Sequence, residues 1–204
     1  MYMPDQRMLG IVMLCLLGML VGVKRLATGS ILDKPKGSLL VQLVNIFNLF
    51  FLLVVNPLAA ILLITGQLAV IDPSYLTSNE SSILLVVEII GLVLYMLGYL
   101  LMAGALVTLG RNYQLGGSTP RSDDKMVMRG PYRLIRHPMY AAALTISLGL
   151  ACLIPSWAFW GVFGIYLVLI IPLIAKEEEG LQKAYGAQYG AYQQKTRKLV
   201  PFVY

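Results

Sequence analysis

The sequence predicts an all-α integral membrane protein with about five membrane-spanning helices. Of its 204 residues, 58% are hydrophobic and 13% are charged, whereas a typical soluble domain has about 45–50% apolar and about 25% charged residues. The apolar residues form long continuous runs, which favours helices over the short alternating segments of a β-barrel. The charged residues lie almost entirely between those runs. We therefore expect a single membrane domain over residues 1–204.

Five apolar segments account for the predicted spans. The first is followed by Lys24 and Arg25 with no small-residue cleavage site, so we interpret it as a retained helix and not as a signal peptide. The first three spans form an N-terminal part, residues 8–109, and the last two belong to a C-terminal half, residues 110–204. The predicted spans are Met8 to about Val23, Leu39 to about Thr65, Ile83 to about Leu109, Met139 to about Leu153, and Trp157 to about Ala175.

A few polar residues interrupt the apolar spans. Asn45, Asn48 and Asn56 lie in the second span, where Pro57 should bend the helix. Amides within a span commonly join helices by hydrogen bonds, so these asparagines serve either helix packing or a substrate pocket. Glu88, in the outer third of the third span, is interpreted as an interhelical or interfacial contact and not as a catalytic group.

The distribution of basic residues predicts the orientation in the membrane. All but one of the 16 Lys and Arg residues lie in the segments 24–38, 110–138 and 176–204, which five spans place on one side. The positive-inside rule then predicts an outer N-terminus and a cytoplasmic C-terminus. Because orientation explains the net charge of +6, that charge does not indicate a nucleic-acid partner. The alternation of charged residues with tyrosines in the stretch from Lys176 to Tyr204 predicts an amphipathic helix lying along the interface, followed by a short tail that contains Pro201.

Two polar clusters are predicted to meet at the cytoplasmic face. The run Arg129 to Tyr140, RGPYRLIRHPMY, precedes the fourth span and contains the only histidine, His137. The second cluster, Lys176 to Glu179, follows the fifth span. Spans four and five are joined by a tight turn at Pro155, so their inner ends should be neighbours.

The two clusters could together bind a ligand that carries charges of both signs. A helix that begins near Pro138 directs its N-terminal backbone N–H groups at the site and attracts a carboxylate. Glu177 and Glu178 could accept hydrogen bonds from an ammonium group or from ribose hydroxyls. The simpler alternative is that the arginines only orient the protein and the glutamates only neutralise them. Since Cys15 and Cys152 lack neighbouring metal ligands and the histidine is single, we expect no metal and no bis-histidine haem.

The order of these motifs resembles the isoprenylcysteine carboxyl methyltransferase and phospholipid methyltransferase superfamily. The resemblance covers about Asp124 to Pro201, and the first two spans show no known motif. It implies an S-adenosyl-L-methionine-dependent methyltransferase of the short prokaryotic type, with its catalytic half in residues 110–204. The residues that carry the resemblance are Gly130, Tyr132, Arg136, His137, Pro138 and Tyr140, then Glu177, Glu178, Leu181, Tyr185, Gly186, Tyr189, Tyr192 and Pro201.

The resemblance also implies which residues form the site. Methyl transfer from a sulfonium needs alignment and desolvation more than acid–base help, so we expect the catalytic residues Arg136, Tyr140 and Glu178 to position the acceptor. Gln114 is the candidate for an upstream glutamine of the family, and Leu173 stands where eukaryotic isoprenylcysteine enzymes have a substrate arginine. The implied cofactor-binding residues are Asp124, Lys125, Met126, Val127, Tyr132, His137, Pro138, Met139, Tyr140 and Glu177.

The implied partners are membrane lipid and a lipophilic acceptor, with no nucleic acid and no metal. A prenylated cysteine carboxylate is the first candidate acceptor, and a phospholipid amine is the alternative. A sterol-reductase-like enzyme that uses NADPH has a related Arg-His motif, but the short chain and the paired glutamates disfavour it. A small non-enzymatic transporter is disfavoured because we see no internal repeat and the polar residues gather at one face.

Overall fold

The computed structural model describes residues 6–33, 38–74, 82–114 and 124–200, and these residues form a bundle of helices. Pro201 and parts of the connectors 24–38 and 110–138 lie outside the described ranges. The described residues form no β-strand, and Ile135 and Arg197 make an isolated bridge. The helices are α1 (Gln6–Thr28), α2 (Leu39–Phe50), α3 (Asn56–Thr65), α4 (Leu68–Ile71), α5 (Ser82–Leu109), α6 (Pro138–Leu153), α7 (Trp157–Tyr185) and α8 (Ala187–Lys195).

The predicted all-α membrane architecture is confirmed. Within the described ranges, four helical segments are long and apolar enough to cross a membrane: Gln6–Thr28, Leu39–Thr65, Leu84–Asn112 and Trp157–Tyr185. The predicted fourth span corresponds to α6, whose 16 residues give a length of about 24 Å, less than the hydrocarbon core of roughly 30 Å. The count of five spans and the orientation therefore remain predictions.

The prediction of a separate C-terminal helix that begins at Lys176 is wrong. Helix α7 continues without a break to Tyr185, and only the short α8 follows. Lys and Glu are good helix formers, so the helix continues through Gly180 and ends only before Gly186, which has a φ of +52°. The charged cluster therefore lies on an extension of α7 beyond its apolar part.

The second span changes its helical winding before Pro57, where the sequence predicts a bend. A π-helical turn at Phe51–Val55 joins α2 to α3. Proline has no backbone N–H to continue the regular ladder. The buried Asn56 side chain donates from Nδ2 to the Phe51 carbonyl at 3.2 Å and accepts from the Tyr95 hydroxyl at 2.6 Å. This asparagine joins α5 to the second span, as expected for a packing role.

Polar contacts at the other end of the bundle fix the hairpin between α6 and α7. The buried Ser156 hydroxyl bonds to the Asp72 carboxylate and lies 2.9 Å from the Ser74 hydroxyl. Nearby, Glu88 lines a small cavity of about 50 Å³ together with Gln6 of α1, which agrees with its predicted interhelical position. The tight turn predicted at Pro155 is present, so α6 and α7 run back together towards the polar clusters.

Helices α5 and α6 share the most extensive packing in the bundle. Glycines allow this close approach. A Cβ added at Gly149 would lie 2.5 Å from the Tyr95 backbone nitrogen, and one at Gly98 would lie 2.9 Å from the Ile146 nitrogen. Because backbone atoms cannot yield as a flexible side chain can, these positions require glycine.

We expect Gly149→Ala to destabilise the protein by about 1–3 kcal/mol, because overpacking forces the two helices apart. The matched control is Gly161→Ala in α7, where an added Cβ meets nothing within 4 Å and alanine is the better helix former. Thermal unfolding in detergent measures both variants. Equal stabilities of the two variants would contradict the close packing of α5 on α6.

Candidate functional site

The run Arg129 to Tyr140 folds into a short 3₁₀ helix, an extended segment and the start of α6. Residues Gly130–Arg133 form the 3₁₀ turn, and α6 begins at Pro138. Both prolines of the run thus stand in a first helical turn, as predicted. Gly130 has a φ of +56°, and an added Cβ would lie 2.6 Å from the Thr108 hydroxyl oxygen, so the turn against α5 requires glycine.

The residues after α8, 196–200, form a C-terminal strap along this extended segment. The Arg136 backbone N–H donates to the Arg197 carbonyl at 2.7 Å, and the His137 N–H donates to the Lys198 carbonyl at 3.0 Å. These bonds place the strap, α8 and the extended segment in one layer over the ends of α6 and α7.

A buried ion pair lies beneath the strap. Arg136 donates from Nε to Glu178 Oε1 at 2.8 Å, and the two side chains are only 8% and 12% exposed. The same guanidinium donates to the Thr196 carbonyl at 2.6 Å and to the Gln193 carbonyl at 3.3 Å. Arg136 therefore connects the extension of α7 to the C-terminal strap.

The predicted meeting of the two clusters is present in the structure. The Tyr140 hydroxyl donates to Glu177 Oε2 at 2.5 Å, and His137 Nε2 lies 3.3 Å from Glu178 Oε1. The imidazole of His137 is buried and stacks on the Tyr140 ring, with the ring centres 5.7 Å apart. Each of the first two glutamates in the α7 extension thus has a partner at the beginning of α6.

These contacts surround a cavity of about 160 Å³, which we call the site cavity. It lies between the start of α6, the extension of α7, α8 and the end of α5. Its polar and apolar walls come from residues Leu109, Asn112, Gln114, Asp124, Lys125, Met126, Val127, Tyr132, Arg136, His137, Met139, Tyr140, Glu177, Leu181, Tyr185, Tyr189 and Tyr192.

The structure brings most of the predicted site residues to this cavity. Of the implied cofactor-binding set, only Pro138 is absent from the cavity wall, and Glu178 is the one predicted catalytic residue that does not line it. Pro138 begins α6, and Glu178 lies behind the wall in its ion pair. The predicted glutamine, Gln114, lines the cavity and bonds to the Asp124 carboxylate.

Several wall residues were outside the predicted site. Leu181 and Tyr185 follow Glu177 at intervals of four on α7, so all three share one face of the helix. The family resemblance already included Leu181 and Tyr185, and the continuation of α7 past Ala175 places them on the face of Glu177. Leu109 ends α5, Asn112 lies in the 3₁₀ turn Gly110–Asn112 that follows it, and no sequence motif marks either residue. The remaining additions are Tyr189 and Tyr192 of α8.

Tyrosine hydroxyls hold the segments around the cavity in place. Tyr192 donates to the Tyr132 carbonyl at 2.6 Å, and Tyr185 donates to the Asp124 carbonyl at 3.2 Å. Burial raises the pKa of the Tyr132 phenol above its ordinary value, and the Glu177 carboxylate raises it further. Tyr132 therefore remains a neutral hydrogen-bond donor at physiological pH.

The wall combines charges of both signs with aromatic surface. Asp124 and Glu177 supply carboxylates, while Lys125, Arg136 and the N-terminus of α6 supply positive charge and partial positive charge. Such a cavity can bind a zwitterionic ligand that also has an apolar or aromatic part. Among the described residues no group of acidic, histidine or cysteine side chains has the spacing of a metal site.

The chain is similar in sequence to curated proteins, among them two that match about half of it. The chain is 33% identical over 118 residues to protein-S-isoprenylcysteine O-methyltransferase B of Arabidopsis thaliana, covering 55% of this chain and 58% of that protein. It is 29% identical over 97 residues to the cobalt-zinc-cadmium resistance protein CzcN of Cupriavidus metallidurans, covering 48% of this chain and 45% of that protein. The chain thus spans about half the length of these curated relatives.

The fold is similar to a solved structure described as the eukaryotic intramembrane Ras methyltransferase ICMT, isoprenylcysteine carboxyl methyltransferase. The TM-score is 0.53 at 21% identity, covering 80% of this chain and 74% of that chain. At this identity the likeness concerns the fold alone. Residues 86–188, about half of the chain, match the family described as phospholipid methyltransferase. These residues include all of α6 and α7 and almost all of α5, and so the chain belongs to the phospholipid methyltransferase family.

Proposed function

We propose that the protein is an S-adenosyl-L-methionine-dependent methyltransferase acting on a lipophilic acceptor at the membrane interface. The reaction we favour resembles carboxyl O-methylation of an isoprenylcysteine. The observation that carries the proposal is the site cavity, where Tyr140 and Glu177 bond to each other beside His137. Membership in the family and the names of the relatives support the same reaction class.

The cavity wall has groups suited to each part of this cofactor. S-adenosylmethionine, when bound, supplies a methyl group already activated on a sulfonium. Glu177 and Asp124 suit its cationic and hydroxyl-bearing parts, and the N-terminus of α6 suits its carboxylate. The aromatic and apolar side chains of Tyr132, Met126 and Leu181 suit the adenine.

The residues of this chain then act mainly by positioning. A carboxylate acceptor is already ionised at neutral pH, so it needs no general base. Tyr140 lies in the cavity wall, where its bond to Glu177 orients the hydroxyl. Glu178 lies behind the wall and acts as a positioning residue through Arg136 and His137. Excluding water from the cavity would strengthen these polar interactions.

Methylation of a phospholipid amine is the alternative, and the description of the matched family favours it. An ammonium acceptor must lose a proton before it can attack the methyl group. Asp124 and His137 are the wall residues that could receive this proton. The pH dependence separates the two reactions, because amine methylation would rise with pH as the amine deprotonates, whereas carboxylate methylation would be flat above about pH 5.

The first experiment measures cofactor binding by calorimetry on the purified full chain. We expect S-adenosylmethionine to bind and NADPH not to bind, and we expect His137→Ala/Glu177→Ala to weaken S-adenosylmethionine by at least roughly tenfold. NADPH binding alone would support a reductase, and transport in proteoliposomes without either cofactor would support a transporter. Undiminished affinity of the double variant would overturn the proposed site.

The second experiment identifies the acceptor. Transfer of a labelled methyl group is measured with prenylcysteine analogues that carry a free carboxylate and with phospholipids that carry an amine. We expect base-labile methyl esters on the prenylcysteine analogues. Stable N-methyl products on the phospholipids would instead support the alternative.

A further inference from the structure

Tyr189 of α8 has a buried hydroxyl without a hydrogen-bond partner. The residue is 1% exposed, and it contributes to the wall of the site cavity. Its hydroxyl oxygen has no partner among the described residues, although buried polar atoms normally have one. An unpaired buried donor lowers the stability of a protein. At the wall of the candidate site, this cost indicates that the partner of the hydroxyl is a ligand.

The second tyrosine of α8 in the cavity wall has a different role. The Tyr192 hydroxyl donates to the Tyr132 carbonyl at 2.6 Å, and its ring centre lies 6.0 Å from that of Tyr189. Both side chains belong to the same short helix and line the same cavity. A structural bond explains the hydroxyl of Tyr192, whereas no such bond explains the hydroxyl of Tyr189.

The position of Tyr189 is fixed before any ligand binds. Arg136 donates to the carbonyls of Gln193 and Thr196 at the end of α8, and Tyr192 attaches the helix to the cavity wall. Because the Tyr189 ring is buried, only the hydroxyl hydrogen is left to rotate towards an acceptor. A donor held in this way loses little side-chain freedom when it binds a ligand.

The acidic side chains around the cavity are already engaged with other residues. None of them accepts a hydrogen bond from the Tyr189 hydroxyl. The acceptor that satisfies Tyr189 is therefore expected from outside the described part of the chain. The engaged pairs are Glu177 with Tyr140, Asp124 with Gln114, and Glu178 with Arg136.

The charges next to Tyr189 favour an acceptor that is negatively charged. Glu178 and Arg136 are the two charged groups that act most strongly on the Tyr189 phenol. The Glu178 carboxylate lies 2.8 Å from Arg136 Nε and 3.4 Å from Lys198 Nζ. Two cations thus surround one carboxylate, and this group keeps an excess of positive charge. An anion that enters beside Tyr189 would be stabilised by that excess.

The Tyr189 phenol is suited to donate to such an anion. Burial raises the pKa of Tyr189 above its ordinary value, and the Glu178 carboxylate raises it further. The hydroxyl therefore keeps its proton at physiological pH. A hydrogen bond from a neutral donor to a carboxylate is charge-assisted and stronger than a bond between two neutral groups.

We propose that the Tyr189 hydroxyl donates a hydrogen bond to a ligand carboxylate in the site cavity and so selects for a ligand that carries this group. The inference rests on the proposed methyl transfer, in which both reactants have a carboxylate. One belongs to the amino-acid part of S-adenosylmethionine, and the other belongs to an isoprenylcysteine acceptor. The experiments below separate these two sources.

A pair of cofactor analogues tests the first source. Calorimetry on the full chain compares S-adenosylmethionine with decarboxylated S-adenosylmethionine, which keeps the sulfonium, the ammonium and the adenosine. A hydrogen bond to a charged group corresponds to roughly 10- to 100-fold in affinity. We expect Tyr189→Phe to weaken S-adenosylmethionine by at least about tenfold and to leave the decarboxylated compound within about twofold of wild type.

Tyr192→Phe is the matched control. It removes a hydroxyl from the same helix, but that hydroxyl holds the wall and has no role in selecting a carboxylate. We expect it to weaken both compounds by the same factor, so that their affinity ratio stays as in wild type. A ratio that changes equally in the two variants would overturn the assignment of Tyr189.

The methyl acceptor tests the second source. If the bound carboxylate belongs to the acceptor, Tyr189→Phe will keep the affinity ratio of the two cofactor analogues and raise KM for a prenylcysteine carboxylate by about tenfold, with a smaller change in kcat. An unchanged affinity ratio together with an unchanged KM would overturn the proposal. Failure of the wild-type protein to bind either cofactor analogue would instead overturn the proposed function.

Thermal unfolding of the ligand-free protein gives a readout that is independent of activity. Tyr189→Phe removes an unpaired buried hydroxyl, so we expect the unfolding temperature to rise by about 2–4 °C. Tyr192→Phe removes a bonded hydroxyl and is expected to lower the unfolding temperature by a similar amount. A lower unfolding temperature for Tyr189→Phe would show that its hydroxyl is satisfied within the protein and would contradict the proposal.

Discussion

Replacing Glu177 by glutamine is expected to weaken S-adenosylmethionine binding by roughly 30- to 140-fold. The substitution keeps the size of the side chain but removes the negative charge from the cavity wall. It also replaces the charge-assisted bond from Tyr140, now 2.5 Å long, by a weaker neutral one. A loss of about 2–3 kcal/mol is typical for one charged hydrogen-bonding partner, and each 1.4 kcal/mol corresponds to about tenfold in affinity.

Glu179→Gln is the matched control for this experiment. Glu179 lies two residues further along α7, is 65% exposed and pairs only with the exposed Lys183 among the described residues. The substitution removes the same charge from the same helix, but the Glu179 side chain does not line the site cavity. Calorimetry on both variants separates a local contact from a general charge effect. Equal losses in the two variants would show that Glu177 does not contact the cofactor.

Arg136→Met is expected to lower the stability of the protein by about 3 kcal/mol and to release the C-terminal strap. Breaking a buried ion pair leaves its partner desolvated and uncompensated, which costs about 3–5 kcal/mol. Glu178 is only 12% exposed but would keep Lys198 at 3.4 Å and His137 at 3.3 Å, so we expect the lower end of this range. Arg136 also donates to the carbonyl of Thr196. We expect a lower unfolding temperature and faster tryptic cleavage after Lys195 and Arg197.

Arg133→Met controls for the loss of positive charge, because Arg133 is exposed in the same run. The double variant Arg136→Met/Glu178→Leu should recover part of the lost stability, since an apolar pair tolerates burial better than a lone carboxylate. Methyl transfer then distinguishes two roles for Arg136. Normal stability of Arg136→Met with lost transfer would indicate contact with the acceptor and contradict a role in holding the strap.

The sequence alone was sufficient for the fold class and for most of the candidate site. Long apolar runs predicted the spans at 39–65 and 83–109 to within a residue or two, because a bilayer core demands continuous apolar helices. The order of the two polar clusters around an apolar hairpin predicted that the clusters, with His137 in one and Glu177 in the other, would be neighbours. This inference was possible because two helices joined by a short turn run antiparallel, which places their far ends side by side.

Other features depended on the tertiary structure. The extension of α7 past Ala175 was not predicted, because charged residues indicate a membrane interface. Their high helix propensity nevertheless keeps the backbone helical. Which glutamate meets which partner is set by the rotation of α7 against α6, so only the fold assigns Tyr140 to Glu177 and His137 to Glu178. The strap that holds Arg136 is a contact between residues 60 positions apart.

The same distinction applies to the asparagines of the second span. The sequence identified Asn45 and Asn48 as polar residues in an apolar span but left open whether they pack or line a pocket. The answer depends on which way α2 faces and on the π-helical turn below it, neither of which local sequence determines. Composition and periodicity determine which segments enter the membrane, because the transfer of a segment from water depends on its own side chains. The cavities arise where several helices fail to fill the space between them, and that is a property of their joint packing.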